Sequence, residues 1–328
     1  MPLNSLIVSV PHQPKSGNSW RITPKVSVSI ITYNHEKYIA QAIDSVLKQR
    51  VTFHYEIIIG DDCSSDGTRQ ILQAYQQKYP DVIQLVLHPH RYQGVPGRLN
   101  NITNLYACRG QYVALLDGDD YWISEDKLQQ QVDFLDKNHN YALAFHDAVI
   151  TSDENAFTDY NHSDEFDFLK AKESFTHSDV AERWFMQTSS IMYRNKLLGE
   201  FPNWFWNIYS ADYVIQLLIS QHGKVRYFHN LKSVRRKNQA SFSATQNQSL
   251  HGNLRRIEEM ILLRKEFKQV RSSASFSRRL AKYYYRHASL LRKQKSYSKA
   301  ANYLLKCIYA DWKYFTASSG IARLPLRF

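Results

Sequence analysis

The sequence predicts an α/β fold, a mostly parallel sheet covered by helices, with a C-terminal helical extension. Between Lys25 and residue 245, short Val/Ile/Leu-rich runs alternate with stretches whose apolar residues recur at helical spacing, as strands joined by crossover helices do. Several runs are apolar on successive positions, the mark of strands buried on both faces. Beyond about Leu254 the pattern stays helical to the end of the sequence.

Residues 1–24 contain four prolines and no clear periodicity, so an irregular lead-in is expected there. Regularity begins at Lys25. "VSVSIITY" alternates and then turns fully apolar, a first buried strand. It runs into "NHEKYIAQAIDSVLKQ", where Ile39, Ile43, Val46 and Leu47 share a helical face and Asn34 is available as a cap. "YEIIIGDD" reads as the second strand, and "SSDGTRQILQAYQQKY" as a turn and a helix stopped at Pro80. A third strand, "VIQLVLH", precedes a Gly/Pro loop and the helix "RLNNITNLYA", with Leu99, Ile102 and Leu105 or Tyr106 on one face. "GQYVALL" is the fourth strand. The helix "SEDKLQQQVDFLDKN" then turns Leu128, Val132 and Leu135 inward, and "YALAFHDAVI" is another strand. Residues 151–180 are polar and read as an irregular loop. "TSSIMYR" reads as a strand, "ADYVIQLLISQHG" as a helix with Ile215, Leu218 and Ile219 on its apolar face, and "KVRYFHN" as a further strand. The expected organisation is therefore a lead-in (1–24), a catalytic domain (25–245, in halves 25–122 and 123–245) and a basic helical region (246–328).

Composition narrows the partners. The 328 residues carry a net charge of +12, yet residues 251–328 alone hold 18 Lys and Arg against 4 Asp and Glu. The preceding 250 residues hold 24 against 26. A near-neutral body with a basic tail suggests a catalytic domain plus a surface-binding element. Cys63, Cys108 and Cys307 lack metal-ligand spacing and cannot all pair, so a reducing compartment is expected. No apolar run approaches the roughly 18 residues that cross a bilayer, and the N-terminus lacks a signal-peptide core. The expected location is cytoplasmic, soluble or peripheral on the inner face of the cell membrane.

In an open α/β sheet, ligands sit beyond the carboxyl ends of the strands. Thr32, Tyr33 and Asn34 end the first strand; Asp61 and Asp62 end the second; Asp117, Asp119 and Asp120 end the fourth. Taken alone, the first group is also an ordinary helix cap and "DDCSSDGT" an ordinary turn. Three carboxylates within four positions are harder to explain as a turn, because like charges repel. A divalent cation, Mn2+ or Mg2+, held by these oxygens and by substrate phosphates would compensate them. An ionised Asp61 or Asp62 can accept from an N–H on a base edge.

"VSIITYNHEKYIAQAIDSVLKQ", "YEIIIGDDCSSDGT", "GQYVALLDGDDYW" and "DKLQQQVDFL" together resemble the family 2 glycosyltransferases with the Rossmann-like GT-A fold, over roughly residues 25–240. The resemblance implies a nucleotide-diphosphate sugar donor (a UDP-sugar favoured), a DxD-type metal site and an inverting transfer. It further implies that Thr32, Tyr33 and Asn34 border the base and that Asp62, with Asp61 beside it, binds the base edge. Arg98 joins the nucleotide-sugar set. Asp117, Asp119 and Asp120 span the DxD region, with Asp119 and Asp120 at the metal. The catalytic base falls on Asp212, with Ala211 where the family often has Glu; Asp at a helix start is also an ordinary cap. In "VRRKNQASFSA", Arg235, Arg236 and Lys237 either clamp phosphate oxygens or, for two of the three, form an ordinary solvated charge run, and Asn238 stands where relatives often carry His. His146 and Asp147 are expected to be supporting or structural. "QTSS" (Gln187 to Ser190) either lines the acceptor side or forms a buried polar turn.

For the basic tail three readings stand: helices packed on the catalytic domain, helices lying on an anionic membrane surface, and nucleic-acid binding. The last is not expected, since no recognition motif accompanies the charge. A glycan or lipid-linked acceptor suits the membrane reading. The competing functions are a nucleotidyltransferase of sugar phosphates, disfavoured because "ITYNHEKY" has no glycine, and a nonenzymatic membrane- or nucleic-acid-binding protein.

Overall fold

A computed structural model describes residues 23–153, 156–159, 168–169, 171–237, 249–267 and 272–312. Backbone contacts divide the chain into two compact units, Met1–Thr176 with Phe185–Lys237 and His177–Trp184 with Asn238–Phe328. Among the described residues no helix is long and apolar enough to cross a membrane.

The first unit is built on one sheet. In chain order it contains β1 (Val26–Thr32), α1 (Ile39–Leu47), β2 (Tyr55–Asp61), α2 (Thr68–Lys78), β3 (Ile83–Leu87), α3 (Arg98–Ala107), β4 (Tyr112–Asp117), β5 (Tyr121–Trp122) and α4 (Lys127–Lys137). β6 (Tyr141–Asp153), β7 (Ala156–Asp159), β8 (Ser174–Phe175), β9 (Met192–Arg194), α6 (Ala211–Ser220) and β10 (Lys224–Arg236) complete it. The strand order is β3-β2-β1-β4-β9-β6-β10-β5, with β7 beside β6 and β8 beside β10. β1, β2, β3 and β4 run parallel, as do β6 and β10, while β9 is antiparallel to both β4 and β6. This is the expected α/β sheet, with β1 to β4 parallel.

Apolar periodicity explains most of these elements. Ile39, Ala42, Ile43 and Val46 of α1 and Leu128, Val132 and Leu135 of α4 enter one core with Val28, Ile30, Ile57 and Ile59; each such burial contributes about 1.5–3 kcal/mol. Polar stitches fix α3 against the sheet. Asn104 Nδ2 donates to Ser29 Oγ (2.7 Å) and to the carbonyls of Ile30 and Ile58, and Asn100 Nδ2 donates to the Gly60 carbonyl at 2.9 Å. Both side chains are buried, so these bonds satisfy groups that would otherwise be costly.

Four local expectations differ from the structure. Asn34 does not cap α1, which begins at Ile39; it adopts a left-handed φ of 54°, which Asn tolerates better than most residues. Residues 188–190 form a 3-10 turn, so the strand there is only β9. The stretch expected as a loop contains β7, β8 and the short α5 (His177–Glu182), because partner strands supply pairing that composition does not reveal. β5, two residues long, is too short to leave any periodic trace.

The second unit is helical: α5, α7 (Leu250–Glu266), α8 (Ser272–Lys293) and α9 (Tyr297–Ala310). Ser249 Oγ caps α7 by accepting the Gly252 N–H at 2.9 Å. Ala288, Leu291 and Ala300 form a buried seam between α8 and α9, with Tyr303 and Leu304 packed on it.

Candidate active site

The acidic turn at the end of β4 is shaped by a close approach to β1. The Gly118 N–H donates to the Ile31 carbonyl at 2.9 Å and the Asp120 N–H to the Asp117 carbonyl at 3.0 Å. A Cβ at position 118 would lie 2.9 Å from Thr32 Oγ1, Thr32 Cβ and His35 Nδ1, so only glycine fits without a shift.

After this turn Tyr121 and Trp122 pair antiparallel with Val234 and Ser233 of β10. Trp122 Nε1 donates to the Ser189 carbonyl at 2.8 Å and locks the pairing from the core side. That register delivers the two arginines to the carboxylates. The Arg236 backbone N–H donates to Asp120 Oδ1 at 2.9 Å, and its guanidinium donates to the Asp119 carbonyl (2.8 Å) and to Gln41 Oε1. The guanidinium also lies over the rings of Tyr38 (5.0 Å) and Tyr121 (4.6 Å), a cation–π arrangement.

Even so, negative charge is incompletely compensated. Burial, then Asp119 and Asp212, raise the Asp117 carboxyl to about 7, with Arg235 opposing. Asp120 is pushed well above the usual carboxylate range by burial, then by Asp119 and Asp117, against the Arg236 N–H and Arg235. Asp117 and Asp119 are both half-buried and only Asp120 is fully covered; the Asp119 side chain is 19% exposed and 3.9 Å from His35 Nε2. Asp117 also borders a small cavity with Asp212, at the first turn of α6, and with Asn101, Thr188 and Ile215.

The end of β2 divides its two aspartates. Asp61 is fully buried and committed internally: Ser64 N–H (3.0 Å), Ser64 Oγ and Arg69 Nε (2.6 Å) all donate to it. Asp62 accepts the Gly97 N–H at 3.2 Å and lies 3.6 Å from Arg91 Nε. Burial raises its carboxyl, with Arg91 and the Gly97 N–H opposing. Arg91 in turn stacks over the Tyr33 ring at 3.8 Å. Asn34 ties this corner together, its N–H donating to Ser64 Oγ (2.9 Å) and its Oδ1 accepting the Ser65 N–H (2.8 Å). The Thr32 carbonyl accepts the Asp62 N–H at 3.0 Å, while buried Thr32 Oγ1 has no hydrogen-bond partner among the described residues.

The remaining candidates are held mainly in internal contacts, although Arg98 follows Gly97 at the Asp62 corner and Thr188 borders the Asp117 cavity. Arg98 is 3% exposed, its guanidinium donating to the Ile208 carbonyl and resting 4.6 Å from the Phe205 ring centre, which is a packing arrangement. Asp147 is buried and accepts from Tyr227 Oη, and His146 Nδ1 lies 2.7 Å from the Asp147 carbonyl. Gln187 to Ser190 make a buried turn in which Ser190 Oγ donates to the Gln187 carbonyl at 2.7 Å. Lys237 is exposed, and Asn238 lies outside the described residues. Sequence reasoning missed His35, Tyr38, Gln41, Arg91 and Tyr121. A lone arginine in the Gly/Pro loop after β3 was the available signal for Arg91.

A divalent cation fits these residues. Among the described residues no three His, Cys, Asp or Glu side chains converge as a ready-made metal site. A hard cation shared with substrate phosphates needs only one or two carboxylates, and the orphaned Thr32 Oγ1 and His35 Nδ1 beside Gly118 mark an unfilled polar corner at the turn.

A helix-covered sheet with carboxylates gathered at the ends of β2 and β4 and the start of α6 defines a class of α/β protein that works at its strand ends. The chain belongs to glycosyl transferase family 2, whose family model matches residues 27–201. "Putative teichuronic acid biosynthesis glycosyltransferase TuaG" of Bacillus subtilis is 33% identical over 182 residues, covering 56% of this chain and 66% of that protein. "Uncharacterized protein Mb1547" of Mycobacterium bovis is 34% identical over 171 residues, 52% of this chain and 47% of that one. The chain thus spans about half the length of the first curated relatives it matches. Among solved structures, S. aureus TarS 1-349 in complex with UDP-GlcNAc superimposes with a TM-score of 0.63 at 19% identity, covering 91% of this chain and 92% of that one. The mannosyltransferase PcManGT from Pyrobaculum calidifontis, in complex with GDP-Man and Mn2+, gives 0.54 at 16% identity, covering 93% and 82%. At such identities the two structures speak to the fold, and they establish the expected GT-A architecture.

Proposed function

We propose that this chain is an inverting, metal-dependent glycosyltransferase, moving a sugar from a nucleotide-diphosphate donor (a UDP-sugar favoured) to a hydroxyl of a glycan or lipid-linked acceptor. The product belongs to a cell-surface polysaccharide or glycoconjugate. The observation that carries the reading is that Asp117 lies close enough to Asp119, Asp120 and Asp212 for these charges to act on one another, and lines a small cavity with Asp212, while β10 brings in Arg235 and Arg236. The structural neighbours in complex with UDP-GlcNAc and with GDP-Man support a nucleotide-sugar donor.

Tyr33 borders the base and Asp62 accepts from its edge, while Asp61 holds the β2 end in place through Arg69 and Ser64. Asp119 and Asp120 would hold the Mn2+ or Mg2+ together with the substrate phosphates. When bound, the ion offsets negative charge growing on the leaving diphosphate. Arg235 and Arg236 present positive charge to the same phosphates. Asp212 takes the proton of the acceptor hydroxyl as it attacks the anomeric carbon opposite the departing group, which inverts the configuration. We place the protein in the cytoplasm, peripheral at the inner face of the membrane through its basic C-terminal helices, with no nucleic-acid partner.

Nucleotide-sugar hydrolysis and transfer, measured with Mn2+ and with chelator, test this. Asp119→Ala is expected to abolish the metal-dependent rate. Asp212→Asn is expected to lose about 10²–10⁴-fold in transfer while nucleotide affinity holds. Turnover unchanged by chelator and by both substitutions overturns the proposal.

A further inference from the structure

Helix α9 is amphipathic in an unusual sense: the side turned away from its own unit is also apolar. Ala300 and Cys307 are buried against the unit. Away from these two, Tyr297, Ala301, Leu305 and Tyr309 are exposed and follow one another at steps of four, so they form one stripe; exposed Trp312 follows just past the helix end at Ala310. Exposure reaches 66% at Tyr297, 55% at Leu305 and 89% at Tyr309. A stripe of this kind in water normally marks a binding surface.

The charges around the stripe select the partner. Lys299 and Lys306 flank it on one side, and Arg292, Lys293 and Lys295 gather at the turn from α8 into α9; all five are exposed. The nearest acid, Asp311, is already engaged by Arg278 at 3.5 Å. Aromatic and aliphatic side chains bordered by exposed cations, of which Lys306 also lies over the Tyr303 ring at 4.8 Å, match the interface of an anionic lipid bilayer. There the apolar face enters the headgroup boundary and the lysines meet lipid phosphates.

We infer that the outer face of α9 is a docking surface for an anionic lipid membrane, with Tyr297, Leu305, Tyr309 and Trp312 entering the interface and the lysines holding phosphate headgroups. This names the surface for the peripheral-membrane part of the reading above and rests on that part alone; it needs nothing of the transfer chemistry.

The test is co-sedimentation of the full chain with vesicles of phosphatidylcholine alone or mixed with phosphatidylglycerol, at low and high salt. The wild type is expected to sediment with the mixed vesicles at low salt and to be released by high salt. The double variant Leu305→Ser/Tyr309→Ser should bind at least about tenfold more weakly. Lys299→Gln/Lys306→Gln should bind about thirtyfold more weakly at low salt. Circular dichroism should match the wild type in both variants, since every altered side chain is exposed. Nucleotide-sugar hydrolysis in lipid-free buffer should be unaltered, which separates failure here from failure of the enzymatic reading. Absence of vesicle binding, or binding equal in wild type and variants, overturns the proposal. So does a lipid-free self-association, seen by sedimentation velocity, that Leu305→Ser/Tyr309→Ser abolishes, because the stripe would then belong to a contact between copies of the chain.

Discussion

Asp117→Asn isolates the electrostatic strain of the acidic turn. Burial, with Asp119 and Asp212 adding, raises the Asp117 carboxyl to about 7, against about 3.9 in an unfolded chain. Between those two values the unfolded chain has released its proton and the folded chain has kept it. Stability therefore falls as pH rises through this window, by about 1.4 kcal/mol per unit. Across roughly three units the loss is on the order of 4 kcal/mol, complete once pH passes the folded value. Asparagine keeps the shape of the side chain and cannot ionise. It also removes one of the charges that raise Asp120. Urea denaturation with divalent ions chelated, followed from about pH 5 to about pH 8, reads the difference. The wild type should lose stability steeply across that range, the variant much less, and the variant should be the more stable protein at the upper end. Turnover with a nucleotide sugar should drop at the same time, the usual exchange between a strained site and a stable fold. Equal pH slopes for the two proteins would refute the reasoning that crowded carboxylates strain this turn.

Two further substitutions probe how the site is built. Gly118→Ala places a methyl 2.9 Å from Thr32 Cβ, an atom on a buried strand end that has no room to retreat; thermal unfolding should report a loss of about 1–3 kcal/mol, and turnover should fall as the turn shifts. Asp61→Asn and Asp62→Asn should separate scaffold from ligand contact. The first, by weakening the Arg69 and Ser64 bonds, should cost about 1–3 kcal/mol of stability. The second weakens only the Gly97 N–H bond and the longer Arg91 pairing; it should cost about 0.5–1.5 kcal/mol while weakening UDP binding in calorimetry, which the first should not do.

Local chemistry made the alternation of strands and helices legible. A strand buried on both faces must be apolar on successive residues, and a helix must repeat its apolar face every three to four, so β1 to β4 and α1 to α4 announce themselves. The same logic places Asp61, Asp62, Asp117, Asp119, Asp120 and Asp212 at strand and helix ends. It could not tell Asp61 from Asp62, since the difference is that Arg69 and Ser64 fold back on one of them. Nor could it foresee β5. Two residues carry no period, and their partner on β10 is remote in the chain: the Arg236 N–H and Asp120 are 116 positions apart. The stacking of Arg91 on Tyr33 and the seat of Arg236 over Tyr38 and Tyr121 share that origin. By itself, then, the sequence determined the longer strands and helices and which carboxylates stand at their ends, because each such choice is decided among near neighbours. Only the tertiary structure decided which cations meet those carboxylates, because strand register between distant segments sets their approach.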